Sequence, residues 1–147
     1  GSEEAFAAEM NESGHELGFT NTNFVNASGW PAPDHFMSPR DLAKLSRAII
    51  NRFPRYYLYF AEKSFTYNGI RQGNRNPLLY RDMGADGLKT GHTQEAGYGL
   101  VGSAMQGNRR VVLVVSGLDS EAARRSESAA IINFVVVVTH GSSGRRS

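Results

Sequence analysis

Lys89, Thr90, Gly91 and His92 are the consecutive residues of the chain best suited to bind a small anionic group and act on it. The lysine side chain carries a positive charge that attracts a carboxylate, and the threonine hydroxyl can both donate and accept a hydrogen bond. Glycine has no β-carbon, so the backbone of a substrate can come close to the chain at Gly91. In an extended strand the Lys-Thr-Gly triplet covers about 10 Å. The triplet alone therefore leaves two interpretations, a carboxylate-binding strand edge and a basic residue on a solvated strand edge, and its sequence context favours the first.

Other residues that could do chemistry have simpler interpretations. His15 has no second histidine at helical spacing, and His35 lies in a predicted loop beside Asp34, so both are predicted to be surface residues. The sequence contains no cysteine, which excludes a thiolate nucleophile and a Cys-ligated metal. We expect neither a metal ion nor a cofactor. Asp86 is predicted to enter a strand and bond the local backbone, with orientation of the site as the lesser alternative.

Composition indicates one globular domain with a modest core. The chain has 147 residues, of which 40% are hydrophobic and 20% charged, and its net charge is +2. This charge is too small to predict binding to nucleic acid, and the arginine pairs at 109–110, 124–125 and 145–146 are interpreted as solvated ends of elements. No apolar run approaches the ~20 residues of a membrane span. No signal peptide opens the chain, so we expect any export signal to lie upstream of residue 1.

The N-terminal part of the chain is predicted to be helical. Phe6, Met10 and Leu17 share one helical face before Gly18, which is a typical helix stop. The next fifteen or so residues are rich in turn formers. Ser38-Pro39 then begins a second helix, whose inward stripe is Leu42, Leu45 and Ile49. A short aromatic helix is predicted from Pro54 to Phe60.

Strands dominate the middle of the chain. Residues 63–67 alternate like a strand before the tight-turn dipeptide Asn68-Gly69. The Lys89 strand follows an irregular segment, and residues 97–105 and 109–116 form a predicted antiparallel hairpin. A last helix, capped by Asp119 or Ser120, has Ala123, Ala130, Ile131 and Phe134 on one side. Residues 135–147 break the pattern and are interpreted either as a short strand at 135–138 followed by a disordered tail or as a segment foreign to the fold. The order of elements predicts an α+β fold.

A resemblance to a known family extends over most of the chain. The segments that carry the resemblance are residues 1–6, 17–26, 65–70, 74–76 and 86–93, followed by Ala96-Gly97-Tyr98. In this order and spacing it resembles the second half of the catalytic domain of D-alanyl-D-alanine carboxypeptidases, the low-molecular-weight penicillin-binding proteins of peptidase family S11. The resemblance implies a β-lactamase/DD-peptidase-like fold, an antiparallel sheet flanked by helices, which is incomplete in this chain. Because the fold is incomplete, we expect exposed apolar side chains at Phe6, Met10, Val112, Val114 and Ile131. Residues 1–134 would be its C-terminal portion, and 135–147 leave the pattern.

The resemblance also implies roles for the Lys89 strand. Lys89 and Thr90 would hold the terminal carboxylate of a D-Ala-D-Ala peptide, or the carboxylate of a penicillin. Gly91 would admit the substrate backbone, and the backbone N–H of His92 would form half of an oxyanion hole while its side chain fills space. Members of the family also use a nucleophilic serine in Ser-x-x-Lys and a second serine in Ser-x-Asn, both N-terminal to Lys-Thr-Gly. No serine of this chain has either pattern, so we expect the chain alone to be inactive.

Three functions remain open at this stage. The first is a serine-type D-Ala-D-Ala carboxypeptidase that trims peptidoglycan stem peptides in the periplasm or elsewhere outside the cytoplasm. Such a protein would bind β-lactam antibiotics only together with the N-terminal half. The second is a non-catalytic fragment or binding module that keeps the fold. A third, weaker interpretation is a β-lactamase-related hydrolase.

Overall fold

The computed structural model describes residues 1–141, in which helices precede a set of antiparallel strands. The N-terminal elements are α1 (Glu3–Glu16), β1 (Thr22–Asn23), β2 (Phe36–Met37), α2 (Pro39–Arg52), α3 (Pro54–Tyr57) and a 3-10 helix (Leu58–Ala61). They are followed by β3 (Ser64–Tyr67), β4 (Ile70–Gly73), a 3-10 helix (Pro77–Tyr80), β5 (Ala85–Thr93), β6 (Gly97–Gln106), β7 (Arg109–Leu118) and α4 (Glu121–Gly141).

Side-chain caps fix the starts of the first two helices. The Ser2 hydroxyl accepts a hydrogen bond from the amide of Ala5, and the Ser38 hydroxyl accepts one from the amide of Asp41 at 3.2 Å. Each cap satisfies an amide that has no partner within the first helical turn. Pro39 occupies the first position of α2, where a missing N–H costs nothing. The predicted start of the second helix is confirmed.

The sheet that carries the Lys-Thr-Gly triplet has the strand order β5-β6-β7 within the described residues, and its neighbouring strands are antiparallel. In the register of β5 against β6, Lys89 is opposite Val101 and Thr90 is opposite Leu100. The antiparallel pairing of β6 with β7 confirms the predicted hairpin at 97–116.

A smaller hairpin joins β3 to β4 through Asn68 and Gly69, whose φ angles are 48° and 75°. Positive φ at both central residues is what a two-residue hairpin turn of type I′ requires.

Helices cover the β5-β6-β7 sheet on both faces. One buried cluster joins the sheet to α4 through Leu78, Leu100, Leu113 and Ile132. The other joins it to α2 and α3, with Tyr57 and Val101 among its buried members. This is an α+β arrangement with an antiparallel sheet between helices, as the sequence predicted.

Asp41 fixes the loop before β1 onto the second helix. Its side chain is fully buried and accepts hydrogen bonds from the amides of Thr20 and Asn21 and from the hydroxyl of Thr22, at 3.1, 2.8 and 2.8 Å. Burial by itself raises the pKa of a carboxyl, but these donors, together with Lys44, favour the ionised form more strongly. The net effect lowers the pKa of Asp41 to about 2.

The helix faces and the C-terminal segment agree only in part with the sequence predictions. The expected exposure of Phe6 on α1 is confirmed, because this side chain is 53% exposed, and the buried residues of α1 are Ala7 and Gly14. On α4 the buried residues are Arg124, Ser128, Ala129 and Ile132, whereas the predicted Ala130, Ile131 and Phe134 are exposed. The strand predicted at 135–138 is a continuation of α4, which ends at Gly141. Residues 142–147 of the predicted tail lie outside the described residues, and a boundary at residue 134 stays a prediction.

Candidate active site

Lys89 lies on an exposed part of β5. Its Nζ donates a hydrogen bond to the backbone carbonyl of Thr90 at 2.8 Å, and it forms no ion pair with a carboxylate among the described residues. A hydrogen bond to a neutral carbonyl leaves the ammonium charge uncompensated. This charge is available to an anion that approaches the strand.

Thr90, Gly91 and His92 continue the strand next to Lys89. Successive side chains of a strand point to opposite faces, so Lys89 shares a face with Val101, and Thr90 shares the other with Leu100. A ligand that contacts both Lys89 and Thr90 must therefore lie along the strand edge. A β-carbon added at Gly91 would have no other atom within 4 Å. The space beside the backbone at Gly91 is therefore open.

His92 stacks on an aromatic neighbour. It is opposite Tyr98 in the register of β5 and β6, and the two rings are 3.9 Å apart at an interplanar angle of 28°. The stacking holds the imidazole of His92, an exposed residue, against the ring of Tyr98. The roles expected for the His92 side chain and backbone N–H stay predictions.

Arg124 brings a second cation to this strand. The side chain projects from α4 and is 6% exposed, and its Nη1 donates to the carbonyl of Gly91 at 3.3 Å. Its guanidinium carbon lies 5.4 Å from the centre of the Tyr98 ring, and Nη2 is 3.9 Å from a carboxylate oxygen of Glu121. The buried Nε has no hydrogen-bond partner among the described residues. The sequence interpretation of Arg124 as a solvated residue is wrong.

Asp86, at the start of β5, is bound by side chains from other elements. Tyr57 donates to Asp86 at 2.7 Å, and both terminal nitrogens of Arg110 contact the carboxylate at 2.7 and 2.9 Å. Asp86 therefore bonds side chains of other elements where the sequence predicted the local backbone, and the interpretation of Arg110 as a solvated end residue is wrong. Burial raises the pKa of Tyr57 to about 12. The hydrogen bond to Asp86 is the main cause that raises the pKa of Arg110.

Two open grooves flank the C-terminal half of β5. One of about 380 Å³ is bounded by Met37, Pro39 and Leu42 and by the strand residues 89–93. The other, of about 650 Å³, lies between the 29–37 loop and residues Thr93 to Ala96. The two share Met37, Thr93 and Ala96, so together they leave open space beside the strand from Lys89 to Thr93.

The remaining titratable candidates have local roles. His35 accepts a hydrogen bond from the amide of Val25 at 3.1 Å, and its ring lies 5.9 Å from that of Phe24. Within the described residues no group of three histidine, aspartate or glutamate side chains could hold a metal ion. Nor does any described helix have the length and apolarity to cross a membrane.

Residues 1–120 match the family described as D-alanyl-D-alanine carboxypeptidase, peptidase family S11. The chain belongs to this family. It is 44% identical over 135 residues to the D-alanyl-D-alanine carboxypeptidase DacD of Escherichia coli, which covers 91% of this chain and 35% of the relative. The D-alanyl-D-alanine carboxypeptidase DacC of the same organism is also 44% identical, with 91% and 34% covered. The chain thus spans about a third of the length of the curated relatives it matches.

Solved penicillin-binding proteins share the fold. Penicillin-binding protein 5 of Haemophilus influenzae superposes with a TM-score of 0.84 at 40% identity, over 88% of this chain and 38% of that chain. For penicillin-binding protein D2 of Listeria monocytogenes in its cefotaxime-bound form, the TM-score is 0.77 at 32% identity, over 88% and 55%. The family and the fold inferred from the sequence are both confirmed, while the roles of Lys89, Thr90, Gly91 and His92 stay predictions.

Proposed function

We propose that the chain is the Lys-Thr-Gly-bearing portion of a serine-type D-Ala-D-Ala carboxypeptidase that removes terminal D-alanine from peptidoglycan stem peptides. The observation that carries the proposal is the approach of two cations to consecutive residues of an open strand edge. Lys89 contacts the carbonyl of Thr90, and Arg124 contacts that of Gly91. Membership of the family supports the same reaction.

The described residues would bind and orient the substrate. The terminal carboxylate of the peptide lies near Lys89 and accepts a hydrogen bond from the Thr90 hydroxyl, with the peptide backbone running past Gly91. The backbone N–H of His92 donates to the scissile carbonyl oxygen, where negative charge develops during attack. The nucleophilic serine comes from a Ser-x-x-Lys segment outside this sequence. Attack forms an acyl-enzyme and releases D-alanine, after which water hydrolyses the ester.

The proposal extends to location and inhibitors. Because mature peptidoglycan lies outside the cytoplasmic membrane, the whole protein would act in the periplasm or an equivalent space. A β-lactam carries a carboxylate that Lys89 and Thr90 can hold as they hold the peptide terminus. Since acylation needs the serine, β-lactam binding is proposed only for the protein with its N-terminal half. The cefotaxime-bound relative from Listeria monocytogenes supports this view.

A fusion tests the function. The N-terminal segment of E. coli DacD, joined to Gly1, supplies the Ser-x-x-Lys motif; this protein is called the fusion below. It should release D-alanine from a D-Ala-D-Ala peptide. Lys89→Ala should lower kcat/KM by about 10- to 150-fold, because a hydrogen bond to a charged group contributes ~1.5–3 kcal/mol. Lys89→Arg should recover only part of the loss, since a planar guanidinium does not replace a compact ammonium.

Two further substitutions and a control complete the test. Thr90→Val should cost less than Lys89→Ala, because one neutral hydrogen bond contributes about 1 kcal/mol. His92→Ala should cost least, since alanine keeps the N–H. Lys63→Ala removes an exposed lysine that lies beside Tyr80 instead of β5, and it should leave kcat/KM unchanged. If Lys89→Ala were as active as the parent fusion, Lys89 would have no role in the site.

A non-catalytic binding module is the second candidate for the chain by itself. No serine among the 147 residues is followed by lysine three positions later, and this observation favours the candidate. Incubation of the chain with a penicillin should leave its mass unchanged, whereas the fusion should gain the mass of the acyl group. A covalent adduct on a serine of the chain would contradict this expectation. Rapid turnover of penicillin by the fusion would favour the β-lactamase-related interpretation.

A further inference from the structure

The N-terminal end of β5 lacks a regular ladder of backbone pairs. The pairing of β5 with β6 shifts between Ala85 and Gly87, so Asp86 is the extra residue of a β-bulge. A bulge locally disrupts the ladder and re-aims a side chain. Lys89 follows the bulge closely along the strand, so its position depends on how firmly the bulge is held.

A cluster of side chains from three other elements holds this bulge. Asp86 accepts hydrogen bonds from Tyr57, on α3, and from both terminal nitrogens of Arg110, on β7. Arg110 also donates to the hydroxyl of Ser103 on β6 at 2.8 Å, and its guanidinium carbon lies 5.2 Å from the centre of the Tyr57 ring. The bidentate contact restrains the orientation of the carboxylate as well as its distance. We call Tyr57, Asp86, Ser103 and Arg110 the bulge clamp.

A fifth side chain binds the backbone next to Asp86. The side-chain amide nitrogen Nδ2 of Asn76, a fully buried residue, donates to the carbonyl of Gly87 at 2.9 Å. A β-carbon added at Gly87 would come within 2.5 Å of the Tyr57 hydroxyl oxygen, so only glycine lets Tyr57 reach Asp86 in this way. Hydrogen bonds to the Asp86 side chain and to the Gly87 carbonyl therefore restrain the segment that leads into Lys89.

We infer that the bulge clamp positions the Lys89-Thr90-Gly91 edge for recognition of the substrate carboxylate, with Asp86, Arg110 and Tyr57 acting as positioning residues. Lys89 has no acidic partner among the described residues that could direct its ammonium. Its placement comes from the path of the strand. The inference rests on the proposed function and adds to it the residues that set specificity for a free C-terminal carboxylate.

The test compares two substrates in the fusion. Arg110→Met should reduce the preference for a peptide that ends in D-Ala-D-Ala carboxylate over the same peptide ending in a carboxamide, because the carboxamide does not need the lysine charge. We expect a roughly 10- to 100-fold loss of preference, as a misplacement of about 1 Å can produce. Its effect should be seen mainly in KM. Arg109→Met, at the exposed neighbouring arginine of β7, is the matched control and should keep the parent preference.

Milder variants cover the case in which Arg110→Met fails to fold. Tyr57→Phe removes only the hydroxyl and should lower the preference less than Arg110→Met. Arg110→Lys keeps the positive charge and should therefore retain part of the substrate preference that Arg110→Met loses. In a Lys89→Ala background, Tyr57→Phe should cause no further change in preference. Equal loss of activity towards the carboxylate and the carboxamide would overturn the inference and leave the clamp as a stabilising contact.

Hydrogen exchange tests positioning without relying on activity. In the fusion, Tyr57→Phe should speed amide exchange in residues 87–91 relative to β7, while Arg109→Met should not. Unchanged exchange in 87–91 would overturn the inference even if the fusion hydrolyses peptides. If the fusion is inactive but this exchange responds as expected, the positioning of the strand is supported and the proposed function fails.

Discussion

Arg124 carries a buried positive charge beside the strand of the site. Removal of this charge should affect the site more than removal of an exposed charge would. The guanidinium donates to the Gly91 carbonyl, and its Nε has no hydrogen-bond partner among the described residues. In the fusion, Arg124→Met should lower kcat/KM by roughly tenfold or more, since it removes a charged hydrogen-bond donor from the strand. Arg125→Met, at the exposed neighbour on α4, is the control and should match the parent. Equal kcat/KM for the two variants would limit Arg124 to packing.

The contrast between these arginines explains what the sequence could predict about the site. The triplet at Lys89 was identifiable because its residue types and order carry the chemistry within a few positions. Arg124 and Arg110 each stand in a pair of arginines, and adjacent residues of one type look alike in sequence. Which member of a pair turns inward depends on the phase of α4 and the pairing of β7, and tertiary packing decides both.

The helix α2 and the loop before β1 depend on the ionised form of Asp41. Its pKa is lowered to about 2 in the folded protein from an ordinary value of 3.8. The stabilisation is therefore fully present above about pH 4 and is lost as the pH falls from there through about 2. In the fusion, Asp41→Asn should lower Tm at pH 6, and its difference from the parent should shrink between pH 4 and pH 2. Thermal unfolding followed by circular dichroism measures this.

A control at a second aspartate isolates the effect of burial. Asp82→Asn changes an exposed carboxylate and should leave the dependence of Tm on pH close to that of the parent. A constant difference between Asp41→Asn and the parent from pH 6 to pH 2 would show that the Asp41 carboxylate contributes through shape instead of charge.

At the scale of elements, the sequence predicted α2 and the hairpins well. Their caps and turns depend on single residues such as Ser38 and Gly69, which can be recognised locally. The inward face of α4 was missed for a physical reason. This face includes Arg124 and Ser128, which are buried, while Ile131 and Phe134 are exposed. A hydrophobic period therefore selects the wrong side of the helix. The helix α4 also continues through the β-branched residues 135–138, although such residues favour strands.

At the scale of the whole molecule, the described residues leave apolar surface beside the sheet. A groove of about 540 Å³ is bordered by Pro39, Val114 and Ile131 and follows one side of β7. In the β5-β6-β7 order, β7 has no further strand on that side within the described residues. The chain spans about a third of its relatives' length, so the remainder of such a protein is available to cover this groove.

This groove and the exposed Phe6 should bind a hydrophobic dye. Of the five apolar side chains that were expected to be exposed, Phe6 and Ile131 are exposed, and Met10, Val112 and Val114 are half-buried. Contiguous exposed apolar surface binds hydrophobic dyes. The 147-residue chain should therefore enhance the fluorescence of such a dye and unfold over a broad temperature range. At equal molar concentration the fusion should bind less dye and unfold sharply, because its added segment buries the same side chains. A chain that is monomeric, dye-silent and cooperative in unfolding would instead be a self-sufficient domain whose groove needs no cover.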